Sequence, residues 1–416
     1  MIAQTQVDGC AVQRLFQIAL LIKNVTTMQP SIDIVSIVFL IGAAQAVFFA
    51  ALLVSPRQSN RRANAILALF LIAFAFTLIE AFLTYTRLYV AHPQLLGLLW
   101  PIDFLYGPLF YAYVRALTCP SFRLTKGKLL HLLPFLISVA SFIPFVLLSS
   151  HGKVALLAGE LSPGPYHAVI GLNMLAAMIQ IMVYLGLSLW RLRQHRKAIQ
   201  DTLSYREGAD LRWLTNLALV CVVLWLLYVL RDLLLPMAGV EVASYWLLPL
   251  AIALGIYALS YWGHRQSQVF VDDTPDLQSV TRQPKYQKSA LSGTQSNEIS
   301  QRLTEAMDRD KPFLDSELTL KALAERLGAS PNHLSQVINE RIGTSFFDLV
   351  NTYRVREAKT LLTDPVEQHS SILAISLEAG FKSKSAFYNA FRKHTGVTPH
   401  QYRVAAGGDS VRQAEA

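Results

Sequence analysis

The chain has 416 residues, of which 53% are hydrophobic and 16% are charged, and its mean hydropathy is +0.35. This balance is too apolar for an ordinary soluble two-domain protein, so part of the chain is expected to lie in lipid. The formal net charge of +9 suits either nucleic acid or an anionic membrane surface. The spacing of Cys10, Cys119 and Cys221 argues against a zinc site or a disulfide framework, and the sequence predicts neither a metal nor a cofactor.

Long apolar segments are confined to the part of the chain before about residue 262. A helix that crosses a bilayer needs about 20 predominantly apolar residues. About seven segments reach that length, at 34–54, 63–85, 95–117, 129–148, 167–190, 213–235 and 244–262. The sequence therefore predicts an all-α chain, in which a polytopic membrane helix bundle precedes a more polar, soluble helical domain.

The loops between these segments differ in charge, and the difference predicts an orientation. Basic residues cluster after the first, third and fifth segments, whereas the other loops hold little more than Arg87 and Lys153. Loops rich in lysine and arginine stay in the cytoplasm. Residues 1–33 are therefore expected outside, the membrane domain at 34–264, and everything after it in the cytoplasm.

Five polar residues within the segments fall in the outer half of the membrane in this orientation. They are Glu80, Asp103, Asn173, Arg231 and Asp232. Because such residues are costly in lipid, they are candidates for an outward-facing ligand pocket, in which Arg231 pairs with an acidic ligand or with nearby carboxylates. The competing interpretation, snorkelling together with structural ion pairs, stays open.

Residues 265–296 lose apolar periodicity and are rich in polar residues, which predicts a flexible cytoplasmic linker. Such a linker does not transmit a rigid movement. We therefore expect regulation through a change in oligomeric state or in partner contacts.

The last predicted domain, 297–405, begins with a helix in which Ile299, Leu303 and Met307 share one face and Ser296 is the expected N-cap. In the next helix Thr319 is the expected cap, and Gly328 is expected to supply the left-handed residue of a tight turn. The residues of that second helix expected to be buried are Leu320, Leu323 and Leu327.

A third helix is predicted to begin at Ser330-Pro331 and to run to about residue 341, burying Leu334, Val337 and Ile338. Its outward side chains are of the kind that contact base edges in a major groove. They are Asn332, His333, Ser335, Gln336 and Asn339. After Gly343 a longer helix, 346–362, leads to a second copy of the motif.

The second copy comprises a helix at 372–379, a turn at Gly380-Phe381, and a helix capped by Ser383 that buries Phe387 and Phe391. Its outward face mixes cationic with hydrogen-bonding side chains, which suits phosphates and bases together. The face consists of Lys382, Lys384, Ser385, Tyr388, Asn389, Arg392 and Lys393. For any one basic residue, a solvated surface position is the alternative.

The stretch 319–403 resembles the DNA-binding domain of AraC/XylS-type transcription regulators. The resemblance rests on Leu334-Ser335-x-x-Ile338-Asn339, Gly343, Phe346, Arg354, Ala358, Gly380-Phe381, Phe387, Phe391, Gly396-Val397-Thr398-Pro399 and Tyr402-Arg403. Ser376 departs from the family, which usually has alanine there. The resemblance implies two helix-turn-helix units joined by a rigid helix, reading adjacent major-groove segments about 34 Å apart on one face of DNA.

These observations predict a membrane-bound, one-component transcription regulator in a bacterial inner membrane. Its expected partners are double-stranded promoter DNA, RNA polymerase, the lipid bilayer, a small-molecule or lipid signal, and a second copy of the chain. Residues 406–416 are expected to be a disordered tail. The sequence contains neither a phosphate-binding glycine loop nor a His-Glu-x-x-His motif, so it does not predict an enzyme. The alternative is a transporter or membrane receptor with a regulatory DNA-binding tail, which solute uptake by vesicles would favour.

Overall fold

The computed structural model describes residues 32–55, 61–86, 88–119, 122, 125–157, 165–205, 211–230, 251–252, 254–256, 292–367 and 370–414. The chain forms two compact units. The first comprises Met1–Leu192 and Leu211–Asp273, and the second comprises Arg193–Asp210 and Thr274–Ala416. The described part is helical, as predicted, and its one extended pairing is an isolated antiparallel bridge between Leu203 and Thr319.

The first unit is built from apolar helices. These are α1 (Ile34–Val54), α2 (Arg61–Tyr85), α3 (Asp103–Thr118), α4 (Leu133–Val146), the greater part of α5 (Pro165–Thr202) and α6 (Arg212–Val229). Shorter helical turns lie at Leu88–Ala91, Pro93–Leu95, Trp100–Ile102, Lys126–Leu129, Leu130–Leu132 and Ser150–Leu157. Most of the predicted seventh segment, 244–262, lies outside the described residues.

Four of these helical stretches are long and apolar enough to cross a membrane, namely Ile34–Val54, Arg61–Tyr85, Pro93–Thr118 and Pro165–Thr202. The apolar stretches Leu130–Val146 and Arg212–Leu227 are shorter. The first predicted segment coincides with α1. The fifth, predicted to end at residue 190, continues as helix to Thr202.

Small side chains line the contact between α1 and α2. Ala43, Ala46 and Ala50 of α1 are buried, as are Ala63 and Ala75 of α2. Large apolar side chains of the same helices point outward instead, including Ile41, Phe48 and Leu69. Small residues let helix backbones approach closely, and outward-facing large apolar residues suit a lipid environment.

Polar contacts join the described residues at each end of this bundle. At one end, Arg62 Nη1 donates to the Phe122 carbonyl at 3.0 Å, and Arg191 Nε donates to Thr118 Oγ1 at 3.1 Å. At the other end, the Tyr85 hydroxyl donates to Asp33 Oδ2 at 2.9 Å. Arg62 and Arg191, which flank two of the basic loops, therefore lie at the same end as Thr118 and Phe122.

In the C-terminal part of the second unit, the residues that the structure describes form seven further helices. They are α7 (Gly293–Arg309), α8 (Leu320–Arg326), α9 (Pro331–Val337), α10 (Phe346–Thr363), α11 (Ile372–Glu378), α12 (Lys384–Thr395) and α13 (Pro399–Ala414), with short turns at Pro312–Leu314 and Pro365–Glu367. One core forms around α7 to α9, and a second around the end of α10 with α11 and α12. The buried face predicted for α7, Ile299, Leu303 and Met307, is confirmed.

The predicted start of α7 is wrong. Ser296 lies inside the helix, and the N-cap is Ser292, whose side chain accepts from the Gln295 backbone N–H at 3.2 Å. Gln295 bonds back to the Ser292 N–H, which completes a capping box. This reciprocal pair satisfies two free donors, whereas a helix starting after Ser296 leaves Gln295 without that role.

Candidate nucleic-acid interface

The first helix-turn-helix unit comprises α8, a turn at Gly328 and α9. Thr319 Oγ1 accepts from the Ala322 N–H at 3.1 Å, and Gly328 has a φ of +59°. Ser330 Oγ accepts from the His333 N–H at 3.2 Å, and Pro331 occupies the first turn of α9. Each of these predicted caps and turns is confirmed, so local sequence signals fix the direction in which α9 leaves the turn.

Helix α9 ends earlier than expected as a regular α-helix. Residues Ile338–Ile342 form a π-helical turn that stops at Gly343, whose φ of +72° is left-handed. Leu334, Val337 and Ile338 are buried, as predicted. The wider turn still ends at the predicted glycine, which adopts this conformation without strain.

The predicted base-contacting residues of this unit lie on the surface. Asn332 and Asn339 are exposed, and the other three, His333, Ser335 and Gln336, are half-buried. Gln336 Nε2 donates to Glu340 Oε2 at 3.0 Å, and Asn339 Nδ2 donates to Ser335 Oγ at 3.3 Å. These weak surface bonds orient the amides and can be exchanged for bonds to bases.

The second helix-turn-helix unit repeats the arrangement with α11 and α12. Gly380 has a φ of +83°, and Ser383 Oγ accepts from the Ala386 N–H at 3.2 Å at the start of α12. Phe387 and Phe391 are fully buried, as predicted. Ser376, the departure from the family pattern, is buried, and its hydroxyl donates to the Leu373 carbonyl at 2.7 Å. Its extra polar atom is therefore satisfied.

The outward face of the second helix-turn-helix unit carries the cationic residues. Lys382, Lys384, Ser385, Asn389, Arg392 and Lys393 are exposed, and Tyr388 is half-buried. Two of the lysines have acidic partners on other elements: Lys382 Nζ lies 2.6 Å from Glu317 Oε1, and Lys393 Nζ lies 2.6 Å from Asp348 Oδ1. A phosphate that binds either lysine competes with a carboxylate in a screened surface pair.

Arg354 of α10 holds the connecting helix against the chain that precedes α8. Its Nε donates to the Phe313 carbonyl at 2.7 Å, and its Nη2 donates to the Asp315 carbonyl at 2.7 Å. Burial lowers the pKa of the guanidinium to about 10, so it remains charged at neutral pH. The sequence pointed to Arg354 through the family resemblance alone and predicted no role for it.

Three of the five predicted pocket residues, Glu80, Asp103 and Asn173, lie in helices that the structure describes. Thr77 and Tyr106 share a hydrogen bond between α2 and α3, with Glu80 one turn beyond Thr77 and Asp103 one turn before Tyr106. Because these helices run in opposite directions between the two ends of the bundle, Glu80 and Asp103 lie at the same level. Asn173 instead donates to Ser141 Oγ at 3.0 Å and to the Val169 carbonyl at 2.9 Å. The predicted pocket residues Arg231 and Asp232 lie outside the described residues.

Comparison with known proteins concerns the C-terminal part of the chain. Residues 323–405 match the family model described as "Helix-turn-helix domain". The C-terminal part is an AraC-type helix-turn-helix domain. The AraC-type domain is 36% identical over 89 residues to the HTH-type transcriptional regulator YtdP of Bacillus subtilis (strain 168), and 33% identical over 89 residues to the melibiose operon regulatory protein of Escherichia coli (strain K12).

These matches cover 21% of this chain, 11% of the Bacillus protein and 28% of the Escherichia protein. A solved structure, the C-terminal domain of the response regulator AraT from Geobacillus stearothermophilus, is 32% identical, with 28% of this chain and 88% of that chain covered and a TM-score of 0.22. The sequence relationship therefore concerns the AraC-type domain and leaves the apolar unit to be interpreted from its own residues.

Proposed function

We propose that this protein is a membrane-bound transcription regulator that binds specific double-stranded DNA at promoters through its AraC-type domain. The observation that carries the proposal is the pair of capped helices, α9 and α12, whose buried faces are apolar and whose outward faces present amides, hydroxyls and cations. The relatives named above are called transcriptional or operon regulators, which supports the same function.

The two outward faces suit different parts of DNA recognition. The α9 face is rich in neutral hydrogen-bonding groups, which discriminate bases, whereas the α12 face combines such groups with lysine and arginine, which contact phosphates. One chain thus carries two reading units, and pairing of two chains on DNA would double the length of the site. RNA polymerase is a proposed partner because a regulator at a promoter acts on it.

We further propose that the apolar unit lies in a bacterial inner membrane, with residues 1–33 outside and the AraC-type domain in the cytoplasm. Four helices of sufficient length and outward-facing large apolar side chains support the membrane location. The contacts of the basic residues Arg62 and Arg191 at one end of the helices support the orientation. A DNA-binding domain has its ligand only on the cytoplasmic side.

The proposal is tested by sequencing DNA that crosslinks to the tagged full-length protein in cells. The wild type is compared with the double variant Gln336→Ala, Asn389→Ala, which removes one outward amide from each unit. A good base contact contributes about 1–3 kcal/mol, so the pair is expected to lower affinity by roughly 30-fold or more. Discrete promoters should be enriched with the wild type and lost with this variant.

The matched control is Gln301→Ala, Thr360→Ala, which removes two exposed polar side chains from α7 and α10. It should retain the wild-type enrichment, because neither side chain belongs to the proposed reading faces. Absence of any enriched site with expressed wild-type protein under several growth conditions would contradict DNA recognition and favour a transporter or partner-binding role.

A signal sensed by the apolar unit is proposed to control the AraC-type domain, with Glu80 and Asp103 as candidate contacts because they lie at the same level of α2 and α3. The same crosslinking experiment tests this assignment. Asp103→Asn should alter promoter occupancy without lowering protein abundance. Unchanged occupancy, together with uptake of a labelled solute by vesicles, would support the transporter alternative.

A further inference from the structure

Helix α5 is much longer than a bilayer requires. Its 38 residues correspond to about 57 Å, whereas the hydrocarbon core is about 30 Å thick. Beyond Trp190 the helix carries Arg191, Arg193, Arg196 and Lys197, which cannot remain in lipid at low cost. The last turns of α5 and the residues after them are therefore available to the cytoplasmic side of the proposed membrane.

Residues 193–205, here named the docking segment, group with the second unit and pack on the AraC-type domain. Leu203 is 2% exposed and forms the antiparallel bridge with Thr319, the cap of α8. The Ser204 N–H donates to the Leu318 carbonyl at 3.3 Å. A buried apolar side chain and backbone pairing together mark a defined contact rather than a passing loop.

The docking segment also completes the surroundings of Arg354. Nη1 of Arg354 donates to the Ser204 carbonyl at 3.0 Å, and Nη2 donates to Ser204 Oγ at 3.1 Å. Arg354 is 1% exposed, so these bonds satisfy donors that have no access to water in this arrangement. Removing the segment would return that side of the guanidinium to solvent.

The same segment touches groups beside both helix-turn-helix units. The Tyr205 ring lies under the Lys382 ammonium, with Nζ 4.7 Å from the ring centroid, next to the start of α12. At its other end, cationic residues of the segment line a groove with Asn339, at the end of the first reading helix. Those residues are Arg193, Arg196 and Lys197.

We propose that the docking segment regulates the AraC-type domain by occupying the surface between its two reading helices, which excludes DNA until the segment leaves. Two helices that read adjacent major grooves have a DNA backbone between them, and a docked helix about 10 Å wide fills that space. This inference rests on the proposed function and adds its mechanism: the signal acts by moving the end of α5.

The first test uses the full-length protein in detergent micelles and a labelled promoter fragment recovered by crosslinking. Leu203→Asp places a charge in the buried contact and should release the segment, whereas Gln194→Asp makes the same charge change at an exposed position of the segment. Fluorescence anisotropy should show at least about 10-fold tighter DNA binding by Leu203→Asp, within the usual range of intramolecular coupling. Gln194→Asp should bind as the wild type does.

A disulfide between positions 203 and 319, here called the lock, tests the proposal even if Leu203→Asp does not fold. Antiparallel bridge partners have Cα atoms about 4.5–5.5 Å apart, which suits a disulfide. The variant Leu203→Cys, Thr319→Cys is made in a chain whose native cysteines are replaced by serine. Oxidation should lower DNA affinity at least about 10-fold, and reduction should restore it; each single-cysteine variant should be insensitive to oxidant.

DNA binding by the oxidised lock that is as tight as binding by the reduced form overturns the proposal, as does DNA binding by Leu203→Asp that is no tighter than binding by Gln194→Asp. In both cases DNA binding itself persists, so the proposed function stands. Failure of the reduced lock, the wild type and both aspartate variants to bind the fragment instead rejects the proposed function, and the inference falls with it.

Discussion

Gly380, in the turn of the second helix-turn-helix unit, should be among the positions least tolerant of a methyl group. Its φ of +83° is left-handed, and a Cβ built on it meets the Phe313 carbonyl and lies 2.8 Å from Leu314 Cα. Both obstacles are backbone atoms, which cannot rotate away. Gly396 has nearly the same φ, +79°, but a Cβ there has nothing within 4 Å.

The pair separates backbone strain from close contact. Alanine at a left-handed position costs about 1–2 kcal/mol, of which about 0.4–1 kcal/mol is offset by the stiffer unfolded chain. Gly396→Ala should therefore lower the free energy of unfolding by about 1 kcal/mol. Gly380→Ala adds about 1–3 kcal/mol for overpacking, which gives roughly 2–4 kcal/mol in total.

For a domain of this size, about 1 kcal/mol corresponds to a change in Tm of about 4–8 °C. The Tm of the AraC-type domain can be measured by limited proteolysis of the full-length protein in micelles at rising temperature. Gly396→Ala should lower this Tm by about 5 °C, and Gly380→Ala should lower it by at least about 10 °C. Equal shifts for the two variants would refute the contact argument, since the left-handed strain alone would then account for both.

Two further predictions concern the interface and the orientation. Glu317→Gln removes the acidic partner of Lys382 and should tighten DNA binding by no more than about 5-fold, as expected for an exposed ion pair, whereas Glu305→Gln on α7 should leave affinity unchanged in the same anisotropy assay. Alkaline phosphatase fused after Thr86 should be active and fused after Ser55 inactive; the reverse pattern would contradict the proposed orientation.

The elements of the AraC-type domain could be predicted because their signals are local. Thr319, Ser330 and Ser383 each precede a helix and bond to a backbone N–H three residues later. Gly328 and Gly380 stand where the chain turns left-handed. Such caps depend on a few adjacent residues, so one sequence suffices to recognise them.

The start of α7 shows how two local signals can compete. Ser292 and Ser296 are both suitable caps. The helix is predicted to start after the later serine because the polar linker is expected to extend to residue 296. The deciding feature was Gln295, three residues after Ser292, because only that serine has the glutamine needed for a reciprocal capping box. The spacing was visible in the sequence, so this boundary could have been found.

The contact between Ser204 and Arg354 had no such signal. The two residues are 150 positions apart, and the apolar window that predicted the fifth segment ends before the docking segment begins. A hydropathy window detects apolar segments, and it does not detect that the same helix extends into charged residues. Arginine, lysine, glutamine and alanine favour helix, so propensity supports continuation of α5 but cannot say where its end packs.

The docking segment also changes what the linker at 265–296 implies. A slack linker does not transmit movement, but a second, non-covalent connection can, since a ligand alters binding when it shifts a population. A 10-fold gain on release requires the segment to be docked about 90% of the time, or about 1.3 kcal/mol of net docking free energy. The two hydrogen bonds that Ser204 accepts from the charged Arg354 guanidinium contribute about 1.5–3 kcal/mol each, which is of the size needed once the entropy of ordering is deducted. A balance this small is within reach of a modest rearrangement of α5, so the coupling needs no rigid path through the linker.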